Sequence, residues 1–300
     1  MTIFDEIKQS YKQGSVLHKL IYINVAVFLA LHIGVIFLVL LNKIGRTQSI
    51  TEILYYLAIP SDLQALVRKP WTIITYMFTH GFLYHILFNL LILYWFGRFF
   101  IEEFGTKKLL GIYLLGGISG ALLFVVFYNV FPFFEEVREQ SIATGASASV
   151  MAIVIAVATA VPDRRMHLVL IGPVKIIYLA LIIFVTSTIL DFTDNTGGKI
   201  AHIGGALAGF LFAHYFRRGK DITRGFDRFM DRFFDFFRTG IFQGRKKMKV
   251  TYKRPADDFE YNKQKAKEQA EIDRILDKIS QGGYDSLSKT EKEKLFNMKK

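Results

Sequence analysis

The sequence predicts an all-α polytopic membrane protein, with six transmembrane helices followed by a small helical cytoplasmic tail. Three observations lead there. The 300 residues are 52% apolar, with mean hydropathy +0.30 and 29 Phe, richer than a soluble domain of this size. Long stretches carry no charged residue at all. Their lengths match the roughly 20 apolar residues that one helix needs to cross a bilayer. Six such runs in the first 216 residues exclude a soluble protein with a few buried helices. The apolar content excludes disorder for most of the chain. With no Cys, a disulfide scaffold, a thiolate metal site and a Cys nucleophile are excluded together.

Taken in order, the charge-free runs are Leu20–Leu41, Pro70–Gly97, Leu109–Phe134, Ser141–Pro162, Ile176–Leu190 and Ile200–Phe216. The first is too long for the apolar region of a signal peptide, and Asn42-Lys43 is a poor cleavage context, so it is retained as a helix. The fifth is short and extends back to about Leu168 if Lys175 snorkels. Loop charges set the expected orientation. Lys8, Lys12 and Lys19, then Arg98, Lys107 and Lys108, then Arg164 and Arg165 mark cytoplasmic regions. Glu135, Glu136 and Glu139, and later Asp191 and Asp194, mark the outside. Both termini are therefore expected in the cytoplasm.

Four regions follow: a cytoplasmic N-terminus (1–19), a six-helix membrane domain (20–217), a basic amphipathic juxtamembrane segment (218–254) and a helical cytoplasmic tail (255–300). Residues 217–254 hold 13 Lys/Arg against 4 Asp/Glu, most of the chain's net charge of +12. Within 221–242, Phe226, Phe229, Met230, Phe233, Phe234 and Phe237 share a helical face, with Asp and Arg largely opposite. A Phe-rich, Arg-bearing helix beside a membrane reads as interfacial, with anionic lipid as its partner. That accounts for the basic charge without nucleic acid. In the tail, Lys263–Ile279 is expected helical, Gly282-Gly283 stops it, and Ser288 with Glu291 has the spacing of a capping box for a second helix. Ile272, Leu276, Ile279, Tyr284, Leu287 and Leu295 are expected to pack between the two.

Polar groups inside spans are costly and need a reason. His32, His80, His85, Asn89, Ser147, Ser149, Lys175 and His202 qualify. Four of them, His85, Asn89, Ser147 and His202, come from spans two, four and six and share one depth below the outer surface. Serine with histidine at one depth makes a nucleophile–base pair. His85 and Asn89, four apart on one helix face, offer donors to a developing oxyanion. Ala201, Gly205, Ala208 and Gly209 keep one face of span six small, as in closely packed membrane helices. The blander alternatives are an own-helix hydrogen bond for Ser149, a packing role for His32, a snorkelling Lys175 and a metal on His80 and His85. The last lacks a carboxylate or Cys at that depth, and no cofactor is expected.

These residues resemble the rhomboid family of intramembrane serine proteases. Trp71 followed by His80-Gly-Phe-Leu-Tyr-His85-Ile-Leu-Phe-Asn89 is similar to the family's first-loop and second-helix signature. Gly145-Ala-Ser147 resembles its nucleophile motif, and Ala201-His202-Ile-Gly-Gly205-Ala-Leu-Ala-Gly209 its base motif. The likeness covers roughly 65–215. The tail near 273–295 resembles a cytoplasmic domain of some bacterial rhomboids. The resemblance implies a rhomboid-like six-helix bundle in a bacterial inner membrane and a Ser147–His202 dyad without a carboxylate. It further implies an oxyanion site from His85, Asn89 and the Ser147 N–H, and cleavage of transmembrane-helix substrates near the outer face. The alternative is a catalytically silent relative that binds transmembrane helices. Four positions depart from the family pattern: Ala148 where Gly is frequent, Met151 where an aromatic ring is common, Thr72 where Arg is common, and Ile101 where a carboxylate is expected.

Overall fold

The computed structural model describes residues 14–42, 45–168, 171–190, 195–228, 232 and 258–297. Six helices carry the apolar runs: α1 Val16–Asn42, α2 Leu83–Phe104, α3 Thr106–Val130, α4 Ser147–Ala160, α5 Ile176–Phe184 and α6 Thr196–Arg217. They form a polytopic membrane bundle. By length and composition, three are each long and apolar enough to cross a bilayer: α1 as far as Leu41, α2 and α3. α6 has 22 residues, but five glycines, Lys199, His202 and His214 dilute its apolar character. α4 and α5 are shorter.

The second run is not one span. Residues 70–82 fold as a helical turn at Thr72–Thr75, a 3-10 turn at Tyr76–Phe78 and an extended stretch before α2. Their hydroxyls and amides find partners off the helix: Thr72 Oγ1 donates to Lys69 O (2.6 Å) and Thr75 Oγ1 to Leu57 O (2.8 Å). Absence of charge alone could not separate such a loop from a span. At its other end α2 runs past Gly97 to Phe104, where Arg98 lies over the Tyr94 ring and Glu102 pairs with Arg164. Gly105, at φ +85°, ends it.

The fourth helix is cut short for a similar reason. Ile142–Ala143 pairs antiparallel with Ile59–Pro60, and Gly145 turns the chain at φ +110°. The 14 residues left in α4 rise about 21 Å, at 1.5 Å each. That falls short of a hydrocarbon core of about 30 Å. Asp163 and Arg164 follow Ala160 closely, so the charged flank of α4 lies at the end opposite Ser147.

The fifth span does not reach back to Leu168. Arg165–Leu168 and Gly172–Lys175 form an antiparallel hairpin, and Lys175 Nζ donates to Asp163 at 2.6 Å instead of snorkelling along a helix. After Phe184 the helix widens to a π turn over Val185–Ile189, with Leu190 N–H bonded to Val185 O at 3.1 Å. Asp191 and Asp194 lie outside the described residues.

The core is centred on α6, which packs most closely against α4 and α3. A Cβ at Gly205 would lie 2.0 Å from the Ala148 carbonyl oxygen, and one at Gly209 would lie 2.1 Å from that of Ala152. On the α3 side, Ser119 Oγ donates to Gly204 O at 2.8 Å. Phe100, Phe104, Phe212 and Phe216 stack to close the opposite end of the bundle. α1 is peripheral, and Leu29, Ile33, Ile36, Phe37 and Leu40 remain exposed on it, as a lipid-facing surface requires. Its fully buried Asn24 donates to the Tyr113 hydroxyl (3.2 Å), which donates to Met77 O (3.0 Å). His32 bonds to the Phe28 carbonyl of its own helix.

Beyond α6, Lys108 bridges Asp221 and Asp227, and the Thr223 hydroxyl lies 2.7 and 2.9 Å from the same two carboxylates. This turns the start of the juxtamembrane segment back onto α3. Phe226 packs, partly buried, against the bundle core. Phe229, Met230, Phe233, Phe234 and Phe237 lie outside the described residues. Partial burial pulls the Asp221 carboxyl upward, but hydrogen bonds from Lys108 and Thr223 outweigh it and hold it below the usual carboxylate value.

The chain divides into two compact units between Arg238 and Thr239. The second unit is a helical pair, α7 Asp258–Gly282 and α8 Lys289–Asn297. The chain reverses at Gly283, φ +72°. The capping box forms in both directions: Ser288 N–H donates to Glu291 (2.8 Å), and Glu291 N–H donates to Ser288 Oγ (3.4 Å). Its core is Ile275 with Leu287, while Leu276 and Tyr284 are exposed. Ile272, Ile275 and Ile279 repeat at helical spacing and form the inward stripe, which Leu276 misses. The Leu295 side chain lies outside the described residues.

Two outcomes are expected. Gly205→Val should cost about 3 kcal/mol through overpacking against the Ala148 carbonyl, read as a lowered thermal midpoint in detergent; an unchanged midpoint would refute the contact. The chain has no Cys, so spin labels at Lys107→Cys and Arg224→Cys report the Lys108 tie. Because the folded Asp221 value is depressed, the tie is fully present above the ordinary carboxylate value of 3.8 and lost as pH falls through the depressed one. The label separation should widen over that acidic range, and at neutral pH in Lys108→Ala. A separation unaffected by either change counts against it.

Candidate active site

Ser147 is the first residue of α4. It is placed there by Gly145, whose positive φ disfavours a side chain and whose Cβ would lie 2.5 Å from His85 Cε1. Two amides leading into the serine are tied to the loop before α2: Gly145 N–H donates to Tyr76 O (2.9 Å) and Ala146 N–H to His80 Nε2 (3.2 Å). The N–H of Ser147 belongs to the first turn, where helix amides have no intrahelical partner.

His202 lies in the second turn of α6 and is 9% exposed. Its Nδ1 donates to the Ser187 carbonyl at 2.9 Å. Ser187 falls in the last turn of the widened α5 extension, whose carbonyls lack intrahelical acceptance. A carbonyl only accepts, so the proton sits on Nδ1 and Nε2 is left as a base.

His85 and Asn89 lie one turn apart on α2. Asn89 Nδ2 donates one hydrogen to His85 O (2.8 Å), which leaves its second for another acceptor. The His80 and His85 rings meet edge to face, with centroids 5.0 Å apart.

Ser147, His202, His85 and Asn89 all line a single cavity of about 340 Å³. Thr144 and Ser187 add polar atoms, and Met151, Val154, Ile92 and Ile183 form apolar walls. Ser147 and His202 are not hydrogen-bonded to each other among the described residues; such pairs commonly tighten only with substrate bound. Ser149 does not bond its own helix: its Oγ is buried without a hydrogen-bond partner. Among the described residues no group of three or more metal-ligating side chains forms.

Trp71 stands apart from the cavity. Its Nε1 donates to Tyr56 O (2.9 Å), beside Lys69 Nζ to Tyr55 O (2.8 Å) and Thr75 Oγ1 to Leu57 O. Together they cap the three final carbonyls of the loop helix Arg46–Leu57. Lys69 thus supplies a cation in a loop that has Thr at 72. Sequence reasoning missed two contacts around the cavity. The sequence offers His80 as a signature residue and as a possible metal partner of His85, not as the acceptor for the Ala146 N–H. Ser187 contributes a backbone atom, which no residue type signals.

A bundle of apolar helices around a half-open cavity with serine and histidine on its wall defines an integral membrane protein with a candidate hydrolytic site. The Rhomboid domain model matches residues 67–219, just over half of the chain, and the chain belongs to the rhomboid family. Residues 257–298 match a family of unknown function (DUF6576). The chain is 29% identical over 187 residues to the rhomboid protease GluP of Bacillus subtilis, covering 62% of this chain and 33% of that one. It is 28% identical over 160 residues to RHOMBOID-like protein 12, mitochondrial, of Arabidopsis thaliana, covering 50% and 47%. It is 25% identical over 145 residues to presenilin-associated rhomboid-like protein A, mitochondrial, of Danio rerio, covering 46% and 35%. The chain spans less than half the length of each of these relatives.

Nitrogen-15 spectra of histidine-labelled protein at neutral pH are expected to show His202 protonated at Nδ1. Protonation at Nε2 instead would rule out the Ser187 contact.

Proposed function

We propose that this protein is an intramembrane serine endopeptidase that cuts transmembrane-helix substrates with a Ser147–His202 dyad. The observation that carries the reading is the single cavity lined by Ser147, His202, His85 and Asn89 from three helices. His202 Nε2 takes the Ser147 proton as Oγ attacks the scissile carbonyl, then returns it to the leaving amine. The oxyanion is held by the Ser147 N–H, the His85 ring and the second Asn89 N–H. A water deprotonated by His202 then attacks the acyl carbon, and the proton passes to Ser147 Oγ as its ester bond breaks. The Ser187 carbonyl orients the imidazole as a carboxylate does in a triad, but its lack of charge stabilises the imidazolium less.

The submerged position of Ser147 means that a substrate backbone must enter the membrane thickness unpaired. A single-span substrate with a helix-destabilising segment meets that need. With the loop charges oriented as the positive-inside rule directs, the cavity opens outward and both termini are cytoplasmic; the likeness to the Bacillus subtilis protease supports a bacterial membrane as the setting.

The test is fluorophosphonate labelling and cleavage of a single-span reporter in liposomes. Wild type should be labelled, and Ser147→Ala and His202→Ala should not. Asn89→Ala should lower kcat on the order of 10²-fold. Folded wild type that neither labels nor cleaves would favour the second reading, a silent binder of transmembrane helices, for which the missing Ser147–His202 hydrogen bond speaks.

A further inference from the structure

His80 lies outside the dyad and the oxyanion group, yet it is fully buried beside them. Its Nε2 accepts the Ala146 N–H at 3.2 Å, and its ring braces His85 at 5.0 Å. One residue earlier, Gly145 N–H is held by Tyr76 O. A single stretch, 76–80, therefore grips two successive amides on the way into Ser147. The grip matters because Gly145 has the widest backbone freedom of any residue, and the turn has no side chain of its own to fix it. Without His80 the buried Ala146 N–H has no acceptor, a loss that a rotation of its peptide plane relieves. That rotation would swing the N–H and hydroxyl of Ser147, the next residue along.

We infer that His80 is a positioning residue: its Nε2 holds the Ala146 amide so that Ser147 presents its hydroxyl and N–H to the cavity. The ring must be neutral, with its proton on Nδ1, for Nε2 to accept. The inference rests on the protease reading, but the contact itself can be tested without activity.

Full-length wild type, His80→Leu and His80→Gln would be compared in liposomes. The measurements are kcat and KM on the reporter, and amide exchange of Ala146 by mass spectrometry. The glutamine carbonyl can accept in place of Nε2; leucine cannot. In His80→Leu, kcat should fall about tenfold or more with KM within about twofold, the signature of lost transition-state alignment. Ala146 exchange should accelerate. His80→Gln should restore protection and most of kcat. A His80→Leu protein with unchanged kcat, or a His80→Gln protein no better than leucine, overturns the proposal. If His80→Leu fails to fold, His80→Gln decides alone: retained Ala146 protection with kcat within about fivefold of wild type supports it, and loss of either overturns it. If wild type proves inactive, the protease reading falls, and exchange decides: faster Ala146 exchange in His80→Leu supports the contact, and unchanged exchange overturns it.

Discussion

Gly205 and Gly209 set α6 against the carbonyls of Ala148 and Ala152, closer than any side chain would permit. Within a membrane, lipid tails are as apolar as Leu, so helices gain little by burying Leu against Leu; they associate through packing and hydrogen bonds. Small residues that let backbones touch are the means. His202 lies three residues before Gly205, and Ser147 directly precedes Ala148. The contact that joins the helices thus places imidazole and hydroxyl on one cavity wall. α3 completes the arrangement, with Gly116 against Ala152, Gly120 against Ala148 and Ser119 bonded to Gly204.

The start of α4 depends on polar structure that no membrane helix supplies. The chain approaching Ser147 is held by the Ile59–Pro60 and Ile142–Ala143 strand pair, by Tyr76 O and by His80. That loop is in turn fastened where Lys69, Trp71 and Thr75 cap successive carbonyls. Each bond satisfies a group that would otherwise be costly to place near lipid. The first loop and the entrance to α4 are therefore one hydrogen-bonded body.

Much of this was legible because charge is expensive in a bilayer. The charge-free runs located six helices, the rarity of polar residues within them gave eight candidates, and a shared depth selected Ser147, His202, His85 and Asn89, which line one cavity. The same criterion failed where uncharged residues build loops. Pro70–Gly97 reads as a span because Thr, Tyr and His carry no charge, although their hydrogen bonds go to other segments. The Arg165–Lys175 hairpin was hidden by the assumption that Lys175 snorkels. Asn24 sat unremarked within an apolar helix, yet it joins α1 to α3. Leu276 and Ile275 differ by one position, and only the stripe of Ile272 and Ile279 tells them apart. What a backbone carbonyl does, as at Ser187, is written in no side chain.

That carbonyl has an evolutionary consequence. Every amino acid has one, so substitution at position 187 leaves the acceptor for His202 in place. A one-residue deletion within Val185–Ile189 would instead erase the widened turn and rotate the rest of the helix by about 100°. Orientation of the imidazole is therefore insulated from drift in residue identity and exposed to changes in length. Among descendants of this sequence, position 187 can change its side chain while the residue count of Val185–Ile189 stays fixed.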